Sequence, residues 1–552
     1  MNRFLAVLLL VALPAAAAPA RRYIVTMREG ASDRPMVHAL GASGEAGRHA
    51  ARELGIINGF AAALTDEEIA GLKSSPDVLS VDPVVERHLL AVAPAFAPHA
   101  TGNPLALAQT VPYGIDLIHA REVWPHARGA NVNVAIFDTG IATDHPDLFA
   151  NIAGGFNTLT RGTNFLDDHG HGSHVAGTVA ARDNDFGVVG VAPEARLWSV
   201  KVLGADGTGT NENVIVAADW VLAKKKALGG NWIISMSLGS GETSPPEEAA
   251  FRRLRDNEVL CVAASGNGGA YALDYPAAYA SVLSVGAVDS SIKTTWFSNG
   301  GGTLGVVAPG LDVLSSVLVR SVPNASVAAG TSSFSGVPLK ESRRGDIRAA
   351  IINCGFGEPG ACAGDATGKI AVMRRGNNIY FGDKVRNAVE AGAIAAIIYN
   401  YDDMPTLLWT LIRPVCDAQS NCTANTDDLQ YNWPVVVKLN KTDGEKILQN
   451  GGAITIFSYD DDYGIKSGTS MATPHVAGVA ALLWSLAPSA RALDIRRVIE
   501  LTAKDLGPRG FDAVNGNGLL DALAAAKALA PAAFGLPDAP LPDPGRRRSA
   551  GH

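Results

Sequence analysis

Mostly apolar runs of about six residues alternate along the chain with segments in which apolar residues recur at helical spacing. Such runs lie at residues 132–137, 197–202, 233–239 and 259–264. A strand that is apolar along most of its length is typical of a parallel sheet, in which both faces are buried. Because helical segments separate the runs, residues 108–317 predict an α/β fold whose parallel sheet is flanked by helices.

The same pattern predicts a small separate domain over residues 21–107. Apolar stretches at 23–25 and 78–81 indicate strands, and Thr65 followed by Glu68 forms the capping-box pattern of a helix start. Strands and helices that interleave in this way predict an α+β unit. Residues 91–107 are rich in Ala and Pro and indicate a linker.

The parallel-sheet pattern is interrupted over residues 318–459. Within this stretch we predict a strand at 368–376, a helix at 381–391 and a second strand at 393–399, which together indicate a compact inserted domain. The first domain resumes over residues 460–530. Residues 531–552 are rich in Pro, Ala and Arg and predict a disordered tail.

The length, charge and composition of the chain argue against nucleic-acid-binding and membrane-spanning proteins. The chain has 552 residues, a net charge of −8 and 47% hydrophobic residues, which argues for a multi-domain globular protein that does not bind nucleic acid. Arg3, an apolar run at 4–13 and small residues at 18–20 predict a signal peptide over residues 1–20. No later stretch is apolar for long enough to span a membrane, so we expect a secreted protein without a membrane anchor. Disulfides are permitted there.

Three polar residues stand where the predicted elements meet. Asp138 follows the run at 132–137, and catalytic groups of parallel sheets gather at such carboxyl ends. His171 and Ser470 each come at the start of a helix rich in small residues. A serine there faces unpaired N–H groups and the positive end of the helix dipole, which suits a nucleophile.

The sequence favours neither a zinc site at the histidines nor a phosphate-binding loop at the glycines. His171 and His174 raise the question of zinc, but their spacing is not that of the HExxH helix, so a general base for Ser470 is the better interpretation. The glycine-rich loop at 204–209 lacks the GxxxxGK[ST] pattern of a phosphate cradle. Asn267, between two glycines after the run at 259–264, is either a turn residue or an amide that faces developing charge.

The motifs around Asp138, His171 and Ser470, in that order, resemble those of the subtilisin-like serine peptidases. The motifs are Asp-Thr-Gly, His-Gly-Ser-His-Val-Ala-Gly and Gly-Thr-Ser-Met-Ala-Thr-Pro-His. The resemblance implies an endopeptidase that hydrolyses protein and peptide substrates through an acyl-enzyme on Ser470, without a catalytic metal. Asp138 would orient His171, and Asn267 with the Ser470 N–H would hold the oxyanion.

The resemblance also implies where substrate binds. A peptide would add as a strand between two edge segments. One edge would contain Gly207 and Gly209, and the other Ser237, Leu238 and Gly239. Asp274 would lie at the base of the S1 pocket and attract Lys or Arg at P1. The alternative is a solvent-facing Asp274 and a broad, apolar S1.

Accessory parts follow from the same resemblance. Residues 21–107 resemble an inhibitor-type propeptide, which would act as an intramolecular inhibitor and be cut off after Leu107. Residues 318–459 resemble a protease-associated (PA) domain. The pairs Cys354/Cys362 and Cys416/Cys422 are plausible disulfides there, with Cys261 free, although connectivity cannot be deduced from sequence. We expect a monomer.

A structural calcium ion is the last implied feature. The resemblance assigns side-chain oxygens from Gln109, Asp147 and Asn184, and main-chain carbonyls from Arg182, Phe186 and Val188. Oxygen ligands of both kinds suit calcium.

Two rival functions remain open. The chain could be an inactive subtilisin-fold binding protein, although decay of the enzyme would usually alter Asp138, His171 or Ser470. It could also be an acyl transferase, since hydrolysis and transfer share the acyl-enzyme and differ in whether water or an amine attacks it.

Overall fold

The computed structural model describes residues 20–31, 51–90, 109–403, 409–417 and 420–537. Residues 1–19 of the predicted signal peptide, Leu107 and residues 538–552 of the predicted tail lie outside these ranges. None of the helices within the described ranges is long and apolar enough to cross a bilayer.

A seven-stranded sheet forms the centre of the expected catalytic part of the chain, residues 108–317 and 460–530. Its strands are β6 (Val132–Asp138), β7 (Ile152–Asn157), β8 (Arg196–Lys201), β10 (Asn231–Met236), β12 (Val259–Ala264), β13 (Val282–Val288) and β14 (Val306–Pro309). They lie in the order β14-β13-β12-β10-β6-β8-β7, and every neighbouring pair is parallel. The predicted α/β parallel sheet is therefore present.

Helices cover this sheet, as the spacing of apolar residues predicts. They are α2 (Tyr113–Leu117), α3 (His171–Ala180), α4 (Asn211–Leu228), α5 (Pro245–Asp256), α9 (Thr469–Leu486), α10 (Ala492–Thr502) and α11 (Ala522–Leu529), with a 3-10 turn at Phe149–Asn151. The side chains of α3 are all buried, and α9 is buried from Thr469 to Trp484. These two helices pack in one core with β6 and β13, which holds their N-termini at the sheet.

The N-terminal domain is the predicted α+β unit. It contains β1 (Arg21–Met27), β2 (Arg52–Leu54), a 3-10 turn (Gly55–Ile57), β3 (Gly59–Leu64), α1 (Asp66–Ser74) and β4 (Val78–Pro83). The strands form one sheet in the order β2-β3-β1-β4. The predicted capping box is formed: Glu68 N–H donates to Thr65 Oγ1, and Thr65 N–H donates to Glu68 Oε2. A further strand, β5 (Glu86–Leu89), leaves this domain and joins the catalytic part.

The insertion is a closed barrel, and its described residues also form three helices. Its strands are β16 (Val322–Ala329), β17 (Ser332–Pro338), β18 (Gly345–Asn353), β19 (Ile370–Arg374), β20 (Ala395–Tyr399), β23 (Val435–Leu439) and β24 (Ala453–Asp461). The helices are α6 (Phe381–Glu390), α7 (Thr426–Gln430) and α8 (Lys441–Asn450), and β21 (Pro414–Cys416) pairs with β22 (Cys422–Ala424). The disulfides Cys354–Cys362 and Cys416–Cys422 are formed, and Cys261 is buried and free.

The barrel enters and leaves the catalytic part at one place. Strand β15 (Val313–Ser316) precedes it and β25 (Tyr463–Lys466) follows it, and the two pair antiparallel with Ser316 opposite Tyr463. The barrel is thus an extension of a hairpin. Its last strand ends at Asp461, two residues beyond the predicted boundary at 459.

The start of the predicted disordered tail is wrong. Pro531–Phe534 form a 3-10 turn, and the Phe534 ring centre lies 4.2 Å from that of His126. This aromatic contact gives the turn a packing partner that the composition of the tail does not reveal.

Candidate active site

Asp138 and His171 form a buried pair at the carboxyl end of the sheet. Asp138 is the last residue of β6, and its Oδ1 lies 2.8 Å from His171 Nδ1. Both side chains are fully buried. The Thr139 N–H donates to the same carboxylate oxygen at 2.8 Å. With Nδ1 donating its proton to Asp138, His171 is left with Nε2 as a proton acceptor.

The sequence analysis missed Asp167, which holds the start of α3. Asp167 Oδ2 accepts hydrogen bonds from the Ser173 N–H at 2.9 Å and the Ser173 hydroxyl at 2.6 Å, and Oδ1 accepts the Gly170 N–H at 2.9 Å. Burial alone would raise the pKa of Asp167, but these hydrogen bonds outweigh it and lower the pKa. An acidic residue shortly before a predicted helix was the available signal.

Ser470 lies in the first turn of α9, as the small residues around it predicted. Its hydroxyl donates to the Ser237 carbonyl at 3.0 Å. Within the described residues, His171 Nε2 has no hydrogen-bond partner. The hydroxyl must therefore turn from Ser237 to His171 Nε2 before the histidine can take its proton.

Pro474 leaves the main-chain carbonyl of Ser470 without its usual helical partner. It is the sixth residue of α9, and a proline has no N–H to donate to the carbonyl four residues earlier, which is that of Ser470. The Ser237 hydroxyl donates to this carbonyl at 2.7 Å instead. Ser237 thus makes two hydrogen bonds with Ser470, one through its side chain and one through its main chain.

Asn267 and the Ser470 N–H converge on one carbonyl oxygen. Asn267 Nδ2 donates to the Leu90 oxygen, and the Ser470 N–H lies 3.4 Å from the same atom. The other end of the amide is held by Thr469, whose N–H and hydroxyl both lie 2.9 Å from Asn267 Oδ1. Thr469 was missed by the sequence analysis. This arrangement can stabilise a tetrahedral oxyanion on the carbonyl it holds.

Strand β5 runs through the predicted substrate edges. It pairs antiparallel with β9 (Thr208–Thr210) on one side and β11 (Leu238–Gly239) on the other. The Leu89 N–H donates to the Gly207 carbonyl at 3.1 Å, and the Leu90 N–H to the Ser237 carbonyl at 3.3 Å. The five residues predicted to bind the substrate main chain are therefore brought together: Gly207, Gly209, Ser237, Leu238 and Gly239.

The carbonyl at the oxyanion donors is that of Leu90, whereas the sequence analysis placed the cut after Leu107. Leu107 lies outside the described residues. The difference arises because the tail after β4 is short. Strand β5 reaches the cleft directly and ends at Leu89, which leaves the carbonyl of the next residue, Leu90, at Asn267. The Ala- and Pro-rich composition of residues 91–107 did not reveal this.

Asp274 borders the space around the Leu90 side chain. A Cβ built on Gly239 would lie 3.1 Å from Leu90 Cδ1 and 3.2 Å from Asp274 Cβ, so both side chains contact this glycine. Asp274 is half-buried, and burial raises its pKa while the charge of Arg87 opposes that increase. The apolar Leu90 side chain and the Asp274 side chain thus lie on the same side of the cleft, next to Gly239.

Five of the six residues assigned to calcium also converge. Gln109 Nε2 lies 2.5 Å from the Arg182 carbonyl, 3.1 Å from the Val188 carbonyl and 3.3 Å from Asn184 Oδ1. Asn184 Nδ2 donates to Asp147 Oδ1 at 2.9 Å. Burial raises the pKa of Asp147 despite this bond. Among the described residues, no hydrogen bond is made to the Phe186 carbonyl.

His174 has a structural role away from this centre. Its Nε2 lies 2.9 Å from the Val313 carbonyl and 3.2 Å from the Gly464 carbonyl, both of which require a donor. Complete burial lowers the pKa of His174 well below its ordinary value. This histidine ties α3 to β15 and β25.

Comparison with known proteins identifies two families in this chain. The subtilase family (peptidase S8) matches residues 129–337 and 348–518. The peptidase inhibitor I9 family matches residues 22–90. The second match ends at Leu90, the residue whose carbonyl contacts Asn267.

Individual proteins that are similar to this chain point to the same family. Over 211 residues the chain is 44% identical to subtilisin BL of Lederbergia lenta, which covers 38% of this chain and 75% of that protein. It is 43% identical over 212 residues to an alkaline protease of Alkalihalobacillus alcalophilus, covering 38% and 53% respectively. The structure of the psychrophilic subtilisin-like protease Apa1 from an Antarctic Pseudoalteromonas superposes with a TM-score of 0.52 and 31% identity, covering 77% of this chain and 99% of that one.

Proposed function

This chain belongs to the subtilase family and is a subtilisin-like serine endopeptidase, and we propose that it is exported as a zymogen that first cuts its own chain at Leu90–Ala91. The observation that carries the proposal is the Leu90 carbonyl between Asn267 Nδ2 and the Ser470 N–H. A peptide bond held there is positioned for attack by Ser470. The predicted signal peptide and the two disulfides support export.

The proposed reaction follows from the residues present. Ser470 attacks the Leu90 carbonyl carbon while His171 takes the hydroxyl proton, and the oxyanion forms against Asn267. His171 then donates that proton to the Ala91 nitrogen, which leaves, and water hydrolyses the acyl-enzyme on Ser470. We propose that the mature N-terminus at Ala108 is produced by a second cut after Leu107, within the linker.

The experiment labels the purified, matured protein with a fluorophosphonate and locates the label. We expect the label on Ser470, Leu90 as the C-terminus of the released domain, and hydrolysis of unfolded proteins. Absence of labelling would favour a binding protein, and ligated peptide products would favour an acyl transferase. A released domain that ends at Leu107, with no product ending at Leu90, would show that the first cut is misplaced.

We propose that Asp274 allows an otherwise apolar S1 pocket to bind Lys or Arg at the P1 position of the substrate. Its proximity to Gly239 and Leu90 supports this. The chain's own residue at P1 is Leu90, so we expect large apolar residues to be preferred at P1.

We also propose a structural calcium ion held by Gln109, Asp147, Asn184 and the carbonyls of Arg182, Phe186 and Val188. The donor set fits the ion, because three oxygens already converge on the Gln109 amide, whose oxygen and nitrogen exchange places on a flip. Bound calcium would supply only rigidity to this loop. Chelator should accelerate thermal inactivation of the wild type and not of Asn184→Ala. An equal rate with and without chelator in the wild type would contradict the site.

We propose that the inserted barrel is a PA-type domain that restricts the access of folded proteins to the cleft. Because Ser316 lies opposite Tyr463, residues 318–461 can be replaced by a two-residue turn. We expect the shortened enzyme to cleave small peptides at the wild-type rate and folded proteins faster. Unchanged cleavage of folded proteins would contradict this role.

A further inference from the structure

A fully buried ion pair joins the propeptide strand to the catalytic part of the chain. Arg87 of β5 and Glu247 of α5 both have 0% of their side chains exposed. Arg87 Nη2 lies 2.5 Å from Glu247 Oε2, and Nε lies 3.2 Å from Oε1. The two groups thus meet in the bidentate geometry that suits a guanidinium and a carboxylate.

The surroundings of the pair are polar and complete. Arg87 Nη1 donates to the Ser240 hydroxyl at 2.7 Å and to the Glu86 carbonyl at 2.9 Å. The Tyr279 hydroxyl lies 3.0 Å from Glu247 Oε2. Burial alone would lower the pKa of Arg87, but the charge and hydrogen bonds of Glu247, together with the contribution of Tyr279, outweigh this and raise it. The guanidinium is therefore charged in the pocket.

Arg87 occupies a defined substrate position. With Leu90 at P1, Arg87 is the residue at P4, and its main chain pairs with Gly209 of β9. Its side chain enters a pocket that the catalytic part contributes through Ser240, Glu247 and Tyr279. This pocket is the S4 subsite.

Departure of the propeptide removes only one half of the pair. Glu247 lies in the first turn of α5, where the Ser244 hydroxyl accepts its N–H at 3.3 Å, so its position is set by the helix and does not depend on β5. A substrate side chain that fills this pocket buries the Glu247 carboxylate again, and that burial is strongly unfavourable without a cationic partner. A substrate that returns a guanidinium to this pocket regains the pair.

We propose that Glu247 makes S4 selective for Arg at P4, so that preferred substrates carry Arg three residues before the cleaved residue. This inference rests on the proposed cut after Leu90, which places Arg87 at P4, and it names the substrate class of the endopeptidase. Lys should be accepted less well, because its single ammonium group cannot bind both carboxylate oxygens in the fork geometry.

The test uses matured wild-type enzyme and internally quenched peptides that differ only at P4. All carry Leu at P1, and P4 is Arg, Lys, or citrulline, which has the shape of arginine without its charge. We expect kcat/KM for Arg to exceed that for citrulline on the order of 100-fold, the effect of removing one partner of a buried charge pair. Lys should fall between them. No variant is needed, so misfolding cannot confuse this comparison.

Two variants assign the effect to one carboxylate. Glu247→Gln should reduce the ratio of Arg to citrulline to within about threefold, an amount of under 1 kcal/mol. Glu248→Gln removes the same charge from the next residue of the helix and should leave the ratio high. The proposal is overturned if wild-type enzyme cleaves the Arg and citrulline peptides equally, or if both variants lower the ratio alike. Cleavage of neither peptide, together with no fluorophosphonate labelling, would instead refute the endopeptidase activity.

Discussion

The N-terminal domain contacts the catalytic part in two different ways. Its tail lies in the cleft as a strand between β9 and β11, through main-chain hydrogen bonds that a substrate of any sequence can make. Its sheet contacts α4 through side chains of its own. Arg22 and Arg52 both bind Glu212, whose side chain is only 3% exposed, and a Cβ on Gly55 would lie 3.3 Å from Asp219 Oδ2.

The difference explains how one domain can be both substrate and inhibitor. The tail presents a cleavable bond because it lies where substrate lies. The sheet contact does not involve that bond, so we expect it to hold the domain in place after the bond is cut. The cut tail should then continue to compete with substrate until the sheet contact is lost.

The largest expected effect separates cutting from binding. Ser470→Ala removes the nucleophile, so the chain should remain uncut at Leu90–Ala91 while both contacts persist. Loss of the nucleophile costs about 10⁶-fold in turnover in a related serine peptidase. Mass spectrometry of the purified variant should show the full-length zymogen. If the pure variant matured itself at the wild-type rate, Ser470 would not be the nucleophile.

The next effect concerns the tail contact alone. Asn267→Leu removes one donor to the Leu90 carbonyl, so kcat on a peptide substrate should fall by roughly 10²–10³-fold with little change in KM. Steady-state kinetics on the matured enzyme checks this. Thr469→Val, which keeps Asn267 but removes one hydroxyl bond to its amide, should cost less. A kcat for Asn267→Leu within about threefold of wild type would contradict the oxyanion role.

A smaller effect should appear at the sheet contact. Glu212→Gln weakens the pairs with Arg22 and Arg52, so the cut domain should leave faster and the lag before peptidase activity should shorten by roughly tenfold. The cut at Leu90 should proceed as before. Glu242→Gln, an exposed carboxylate of the catalytic part, serves as the control. A lag equal to that of the control would show that the tail alone retains the domain.

The smallest expected effect is at the P1 end of the tail. Asp274→Asn should lower the ratio of kcat/KM for P1 Lys to that for P1 Leu by about two- to fivefold, because a half-buried carboxylate contributes under 1 kcal/mol. Burial raises the pKa of Asp274. The wild-type ratio should therefore increase as the pH rises through that pKa and the carboxylate ionises. A ratio that is unchanged by the substitution would mean that Asp274 does not contact the P1 side chain.

The sequence alone determined the class of fold and the reacting groups, because these depend on local patterns. Apolar runs of strand length placed the ends of β6, β8, β10 and β12 to within about three residues, since burial on both faces needs an apolar run. Asp138, His171 and Ser470 each stand in a short motif at the end of such an element. Their chemistry could be stated without knowing the distances between them.

Only the tertiary structure decided which residues lie together across long separations. Leu90 precedes Asn267 by 177 residues and Arg87 precedes Glu247 by 160, and no local pattern links either pair. Glu247 reads in the sequence as an acidic residue in the first turn of a helix, which is usually solvated. Its burial and its role at S4 arise because a strand from another domain brings a guanidinium to it, and a buried charge is stable only when such a partner is present.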